Sequence, residues 1–102
     1  MITKVKNNKN KIEAIEEYSI RQLKVIPGVG NSIAKDLFDI GIRSVEDLKG
    51  KEPEDLFRRS NMMAGVVQDR CLLYVFRCAV YFAETKNREP EKLKWWNWKD
   101  KK

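Results

Sequence analysis

The sequence predicts an all-α fold, with five to six short helices packed on one long apolar helix. Three observations lead to this prediction. Apolar residues recur at spacings of three and four along most of the chain. No segment shows the strict alternation of apolar and polar residues that is typical of a strand. Glycine and proline interrupt the helical pattern at short intervals, which keeps most of the predicted helices short.

The N-terminal end of the chain is predicted to differ from the domain that follows it. Residues 1–11 hold four lysines, no acidic residue and little that can be buried, so they are predicted to form a flexible basic tail. Residues 12–100 are predicted to form a single domain with a tryptophan-rich C-terminal segment, because a chain of 102 residues suffices for one core.

Capping and breaking residues place the helices of this domain in order. Ser19 followed by Gln22 is a capping-box pattern, which separates a helix over 12–18 from the segment before Pro27. The longest predicted helix is 66–85, and apolar residues cover well over half of its circumference, so it belongs at the centre of the fold. The other predicted helices are 31–40, 44–48, 53–62 and a last short one from Pro90 through Trp98.

The charge of the chain is unevenly distributed, and this weakens the simple interpretation of a basic nucleic-acid binder. Residues 1–11 carry +4, and residues 86–102 carry +4. Residues 12–85 carry −2, from 10 basic and 12 acidic side chains. The basic excess therefore lies in the two ends, and the predicted domain core is slightly acidic.

The composition argues against an enzyme. The absence of histidine excludes catalysis by Ser-His or Cys-His pairs and zinc sites built on histidine. The sequence has no Walker loop and no His/Cys metal set, so no metal site and no cofactor are predicted. Cys71 and Cys78 are the remaining nucleophile candidates, and both are predicted to face the core without a base nearby.

The chain is predicted to be cytoplasmic and to have no membrane association. Its start is polar and lacks the apolar core of a signal peptide. Arg77 interrupts the longest apolar stretch, which therefore does not suit a membrane span. Cys71 and Cys78 lie about 10.5 Å apart along a helix, too far for a disulfide, so they are predicted to be reduced.

The most informative segment is a turn rich in glycine between two apolar-periodic segments. It reads Ile26-Pro27-Gly28-Val29-Gly30, and we call residues 26–30 the glycine turn. Glycines adopt backbone angles that side chains forbid, and they allow another backbone to approach closely. The first N–H groups of the following helix lack partners within that helix, so this end of the helix is a candidate anion site.

The segment Leu23–Leu48 resembles the helix-hairpin-helix motif, and its continuation resembles small sterile-alpha-motif-like domains of DNA repair and transcription. The resemblance implies binding of DNA phosphates without sequence preference, and some such hairpins also hold a monovalent cation on their carbonyl oxygens. It assigns amides to Gly28, Val29 and Gly30, hydrogen bonds from side chains to Asn31 and Ser32, and charge to Lys35.

Two departures from the usual sequence of a DNA-binding hairpin keep a second interpretation open. Many hairpins that bind DNA carry Lys or Arg just after the second glycine, where this chain has Asn31, and Asp36 and Asp39 follow on the same helix. Only one such turn is clear in the chain. The alternative is that the glycine turn is a compact helix connector or an edge that docks a protein.

A narrower resemblance covers residues 19–100. The segments LYVFRCAVYFAET (73–85) and EPEKLKWWNWKD (89–100) resemble the small bacterial proteins of the pathogenicity locus family. That name implies no activity by itself. It implies a helix-hairpin-helix domain with a long helix and a tryptophan-rich end, and DNA binding inferred from the hairpin.

Two further groups of residues are candidates for contact with DNA or with a protein. Arg70, Tyr74, Arg77 and Tyr81 fall on one side of the apolar helix, and we call them the Arg/Tyr stripe. Either they contact a partner, or they form the rim on which the C-terminal segment packs. Of the tryptophans, Trp95 and Trp98 share a helical face and are predicted to close the core, which leaves Trp96 for contact.

The sequence therefore predicts a non-enzymatic module that binds DNA weakly and without sequence preference, through the backbone amides of the glycine turn. The alternative is a protein interaction module that does not bind nucleic acid.

Overall fold

The structure is a computed structural model that describes the backbone of residues 2–101 and the side chains of residues 11–101. Within this range it contains helices and no strand, so the predicted all-α fold class is confirmed. Most of the predicted basic tail lies outside the described side chains, and its flexibility stays a prediction. The α-helices are α1 (Ile2–Leu23), α2 (Asn31–Asp39), α3 (Pro53–Ala64) and α4 (Arg70–Glu84), and the short 3-10 helices are Glu46–Leu48, Pro90–Leu93 and Trp95–Trp98.

The prediction of five to six helices on a long apolar one is wrong in the number and the lengths of the helices. The described chain has four α-helices, and the longest is α1, with 22 residues. It runs without a break through Ser19, where a new helix was predicted to start. Ser19 is only 3% exposed, because it lies one turn before the buried Leu23 on the face that packs on the body.

The apolar helix α4 has 15 residues and is shorter than predicted, because a capping residue fixes its start. The carboxylate of Asp69 accepts a hydrogen bond from the backbone N–H of Cys71 at 2.8 Å. The preceding residues form a separate turn, in which Gly65 has a φ of +76° and ends α3.

The core lies around α4. This helix contacts α3, the 3-10 helix at 46–48 and both C-terminal 3-10 helices, while α2 lies between α1 and α3. Each of the four α-helices contributes to one apolar cluster. Its most completely buried large residues are Leu23, Ile26, Leu37, Leu48, Leu56, Leu73 and Phe76. None of the described helices is both long and apolar enough to span a bilayer.

Candidate functional site

The glycine turn makes a tight connection from α1 to α2. Gly28 has a φ of +88°, a conformation that glycine adopts without steric cost. The amide of Val29 donates to the carbonyl of Ile26 at 3.0 Å and closes the turn. The side chains of Ile26 and Val29 are buried and anchor the turn in the core. The start of α2 is therefore held in a defined position.

The N-terminus of α2 is open to solvent. Gly30 is its N-cap residue, in an extended conformation, and no side chain there accepts from the first amides. Gly30, Asn31 and Ser32 are exposed, and no neighbouring atom lies within 4 Å of the position that a Cβ on Gly30 would occupy. The first amides of a helix have no carbonyl partner within it, and they form the positive end of its dipole. Because these residues are exposed and open space adjoins Gly30, this end of α2 faces solvent.

Two of the predicted amide donors have other neighbours in this arrangement. The amide of Val29 is already used in the hydrogen bond that closes the turn. Gly28 lies against the indole of Trp95. The exposed residues at the beginning of α2 are Gly30, Asn31 and Ser32, and the first amides of a helix lack carbonyl partners within it.

Lys35 lies on the exposed side of α2 and is paired with acidic side chains. Its Nζ lies 2.8 Å from Asp39 Oδ1 and 3.5 Å from Glu16 Oε2, on α1. The hydrogen bond to Asp39 raises the pKa of Lys35, so the ammonium stays charged. Asp36 is adjacent, and partial burial raises the pKa of its carboxyl group. This side of α2 therefore offers little net positive charge, and attraction for an anion depends on the amides.

The Arg/Tyr stripe lies under the C-terminal segment (residues 89–101), and Asp100 joins three of its side chains. Asp100 Oδ2 accepts hydrogen bonds from Arg70 Nε at 2.7 Å and from the Tyr74 hydroxyl at 3.2 Å. Asp100 Oδ1 lies 3.0 Å from Arg77 Nη2. These hydrogen bonds, that of Arg70 first, lower the pKa of Asp100 to about 2.

The other half of the stripe holds Trp98 in place. Arg77 Nη1 donates to the carbonyl of Trp98 at 2.8 Å, and Nη2 donates to Glu54 at 3.1 Å, so this guanidinium connects α4 to α3 and to the C-terminal segment. The rings of Tyr81 and Trp98 lie 5.5 Å apart, centroid to centroid. These contacts favour the interpretation of the stripe as a rim. A groove of about 560 Å³ remains beside Tyr81 and Trp98.

The three tryptophans have different environments. Trp95 packs against the apolar core. The Nε1 of Trp98 donates to the carbonyl of Lys92 at 2.8 Å. Trp96 is 49% exposed and meets Trp95 edge to face. Of the residues predicted to contact a partner, Trp96 is therefore the one whose ring lies largely at the surface.

Sequence reasoning missed an exposed apolar surface at the end of α3, which we call the Met/Val surface. Its four side chains are between 63% and 84% exposed. They flank Gly65, where the helical pattern stops, and apolar pairs on both sides of a turn are the signal that could have revealed them. The four residues are Met62, Met63, Val66 and Val67.

The thiols of the described chain are poor nucleophiles at neutral pH. Cys78 is buried, and this burial raises its pKa to about 11. Cys71 is exposed, so the prediction that both cysteines face the core is wrong for this one, which lies in the first turn of α4 beside Asp69. Its hydrogen bond with Asp69 raises its pKa. Both thiols are therefore protonated, whereas the thiolate is the reactive form. Among residues 11–101, no group of three or more His, Cys, Asp and Glu side chains is arranged to hold a metal ion.

Comparison with known proteins agrees with the narrower of the two resemblances. Residues 16–102 match the model of the Pathogenicity locus family. The mitomycin resistance protein McrB of Streptomyces lavendulae is 32% identical over 76 residues, which are 74% of this chain and 69% of that protein. No solved structure matches the chain significantly. Since the family match includes most of the sequence, the chain belongs to the Pathogenicity locus family.

Proposed function

We propose that this protein is a non-enzymatic DNA-binding module, in which the glycine turn and the N-terminus of α2 hold a backbone phosphate. The observation that carries the proposal is the open end of α2, where the exposed residues Asn31 and Ser32 follow an uncapped Gly30. The helix α1, the turn and α2 together have the features of a helix-hairpin-helix motif, and we assign them to one.

The phosphate is held mainly by backbone donors. The amides of Gly30, Asn31 and Ser32 approach one phosphate, while the side chains of Asn31 and Ser32 add hydrogen bonds to its oxygens. Backbone contacts to phosphate carry no sequence information, so binding is independent of sequence. Lys35 has a secondary role, because Asp39 and Glu16 already share its charge.

Affinity is expected to be weak and to depend on salt. Nonspecific protein–DNA complexes have dissociation constants of about 10⁻⁴ to 10⁻⁶ M at physiological salt. The lysines at the two ends of the chain supply general attraction, and the slightly acidic middle supplies none. Raising the salt concentration therefore weakens binding steeply, while the phosphate contact at α2 decides where on the protein the DNA is held.

The proposal is tested by fluorescence anisotropy with duplex, single-stranded and branched DNA over a series of salt concentrations. Asn31→Pro is the decisive variant. It removes one amide donor, yet proline is tolerated at the first position of a helix, and Gly30 already has the extended conformation that precedes a proline. Asn31→Ala is the matched control, because it keeps the amide and removes only the side chain.

Asn31→Pro is expected to weaken binding several-fold, and Asn31→Ala is expected to weaken it less. Circular dichroism and thermal unfolding establish that both variants are folded. An absence of binding by the wild-type chain at low salt contradicts DNA binding altogether. Equal affinity of the wild-type chain and Asn31→Pro contradicts the role of the α2 N-terminus.

A second candidate function is protein interaction without nucleic acid, and the Met/Val surface favours it. Large apolar side chains grouped at a surface are typical of sites that bind other proteins. Trp96 offers another aromatic anchor of the kind enriched at interfaces. The Arg/Tyr stripe is a weaker candidate, since its side chains hold the C-terminal segment. A partner captured by the wild-type chain and by Asn31→Pro, but lost with Met63→Asp, supports this function over DNA binding.

A further inference from the structure

The helix α1 carries an apolar stripe that extends beyond the part of the protein on which it packs. Ser19 and Leu23 are buried against the body. Ile12 and Ile15 precede them at spacings of three and four, so all four lie on one side of the helix. Ile12 is 64% exposed and Ile15 is 56% exposed. The stripe therefore continues, uncovered, towards the N-terminus.

The dimensions of the helices explain why the stripe is uncovered. With 22 residues, α1 is about 33 Å long at about 1.5 Å per residue, whereas α2, its main neighbour, has only nine residues. The described chain is correspondingly elongated, with extents of 59 × 33 × 21 Å. Helices gain most of their stability from packing of an apolar face, so the projecting part of α1 favours a partner.

The charge along α1 identifies what that partner is. Residues 1–11 carry Lys4, Lys6, Lys9 and Lys11 without an acid, whereas the rest of α1, residues 12–23, carries Glu13, Glu16 and Glu17 with one base, Arg21, and is acidic by a net charge of −2. A second α1 that runs in the opposite direction brings its acidic half beside the basic half of the first, and the reverse holds at the other end. A parallel pair brings like charges together. The helix is therefore self-complementary under a two-fold axis.

We propose that α1 docks against the α1 of a second copy of this chain in an antiparallel pair. Ile12 and Ile15 lie at the centre of the contact, since apolar residues at spacings of three and four form the seam of paired helices. The basic and acidic halves flank this seam and set the direction of the pair. The pairing does not depend on whether the protein binds DNA.

The pairing is tested by measuring the mass of the full chain in solution over a series of concentrations, by sedimentation equilibrium. The wild-type chain is expected to form a dimer that weakens at high salt. Ile12→Asp and Ile15→Asp are expected to be monomeric at concentrations where the wild-type chain is dimeric. Met63→Asp is the matched control, because it places the same charge on another exposed apolar surface, and it is expected to leave the dimer intact.

A charge exchange tests the direction of the pair. One variant carries Lys4→Glu, Lys6→Glu and Lys9→Glu, and a second carries Glu13→Lys and Glu17→Lys. Glu16 is kept because it pairs with Lys35. Each variant alone is expected to be largely monomeric. All five substitutions in one chain are expected to restore the dimer, and that chain is not expected to form mixed dimers with the wild-type chain.

Three results overturn the proposal. One is a wild-type chain that stays monomeric at every concentration. Another is a dimer that Met63→Asp abolishes and Ile12→Asp leaves intact, because the contact then lies on the Met/Val surface. The third is a chain with all five substitutions that forms mixed dimers with the wild-type chain in preference to dimers of its own, because opposite charges then meet in a parallel pair of helices. Circular dichroism of each variant establishes that the helical fold is kept.

Discussion

The indole of Trp95 packs directly on Gly28. Its Cδ1 atom lies 3.0 Å from the position that a Cβ on Gly28 would occupy, and Gly28 has a φ of +88°. The C-terminal segment therefore rests on the glycine turn, and this contact requires a residue without a side chain. The glycine has two roles, because it permits the backbone conformation of the turn and leaves room for the ring.

Gly28→Ala is expected to destabilise the protein for both of these reasons. The backbone strain and the crowding of Trp95 together are expected to lower the free energy of unfolding by about 1–3 kcal/mol. Urea denaturation measures the loss. Gly41→Ala is the matched control, since Gly41 has a φ of +97° and no neighbouring atom within 4 Å of its Cβ position. Equal losses for both variants contradict a steric role of Trp95.

Arg77→Ala is expected to loosen the C-terminal segment. The substitution removes the hydrogen bonds from the guanidinium to Trp98 and Glu54 and its contact with Asp100. Because these contacts hold the C-terminal segment, the free energy of unfolding is expected to fall by about 1–3 kcal/mol. Arg77→Lys is expected to recover only part of this, because an ammonium group does not reproduce the forked geometry of a guanidinium. Thermal unfolding followed by tryptophan fluorescence measures the change.

Arg58→Ala is a suitable comparison for Arg77→Ala. Arg58 forms an exposed pair with Asp55 within α3, and it forms no ion pair with another element in the part of the chain whose side chains are described. Its loss is expected to change the free energy of unfolding by less than about 0.5 kcal/mol, as is usual for exposed ion pairs. A loss as large as that of Arg77→Ala contradicts the special role of Arg77.

Docking of the C-terminal segment is expected to depend on pH through Asp100. Its pKa falls from 3.8 to about 2 in the folded chain, chiefly through the hydrogen bond from Arg70. A lowered pKa means that the carboxylate stabilises the fold fully above about pH 4 and loses this effect as the pH falls towards 2. An acid titration followed by tryptophan fluorescence is expected to show this transition. The Asp100→Asn variant is expected to lack this transition. Identical titration curves for the variant and the wild-type chain contradict the assignment of the transition to Asp100.

The two thiols are expected to differ in reactivity towards a thiol reagent. At mildly alkaline pH, where part of it is deprotonated, exposed Cys71 is expected to react in the folded protein, while Cys78 is expected to react only after unfolding. Asp69→Asn keeps a capping acceptor for the backbone and replaces the carboxylate that raises the pKa of Cys71, first through its hydrogen bond with the thiol and then through its charge, so it is expected to speed the labelling of Cys71 at mildly alkaline pH. Rapid labelling of Cys78 in the folded chain contradicts its burial.

The elements that local signals define were predicted closely. The helix expected over 31–40 is α2, Asn31–Asp39, and the helix expected over 53–62 is α3, Pro53–Ala64. A break in the chain or a proline marks the start of each, and such signals act within a few residues. The capping-box pattern at Ser19 was misleading because burial of its small side chain against the body outweighs a local preference for a helix start.

The candidate site was predicted in position and less well in its details. The glycine turn lies where the spacing of Pro27, Gly28 and Gly30 placed it. The pairing of Lys35 with Glu16 was not predictable, because Glu16 comes from another helix. The use of the Val29 amide within the turn also required the folded geometry. Contacts between elements depend on how the helices pack, and the spacing of residues along the chain does not specify that packing.

The sequence by itself determined the all-α class, the position of the glycine turn and the uneven charge of the chain, because helix periodicity, glycine conformation and formal charge are local properties. The tertiary structure decided which groups are available to a partner. It placed Trp95 on Gly28, used the Arg/Tyr stripe to hold the C-terminal segment and left the start of α2 exposed. Availability depends on what the packing of the helices covers, and that packing joins residues far apart in the chain.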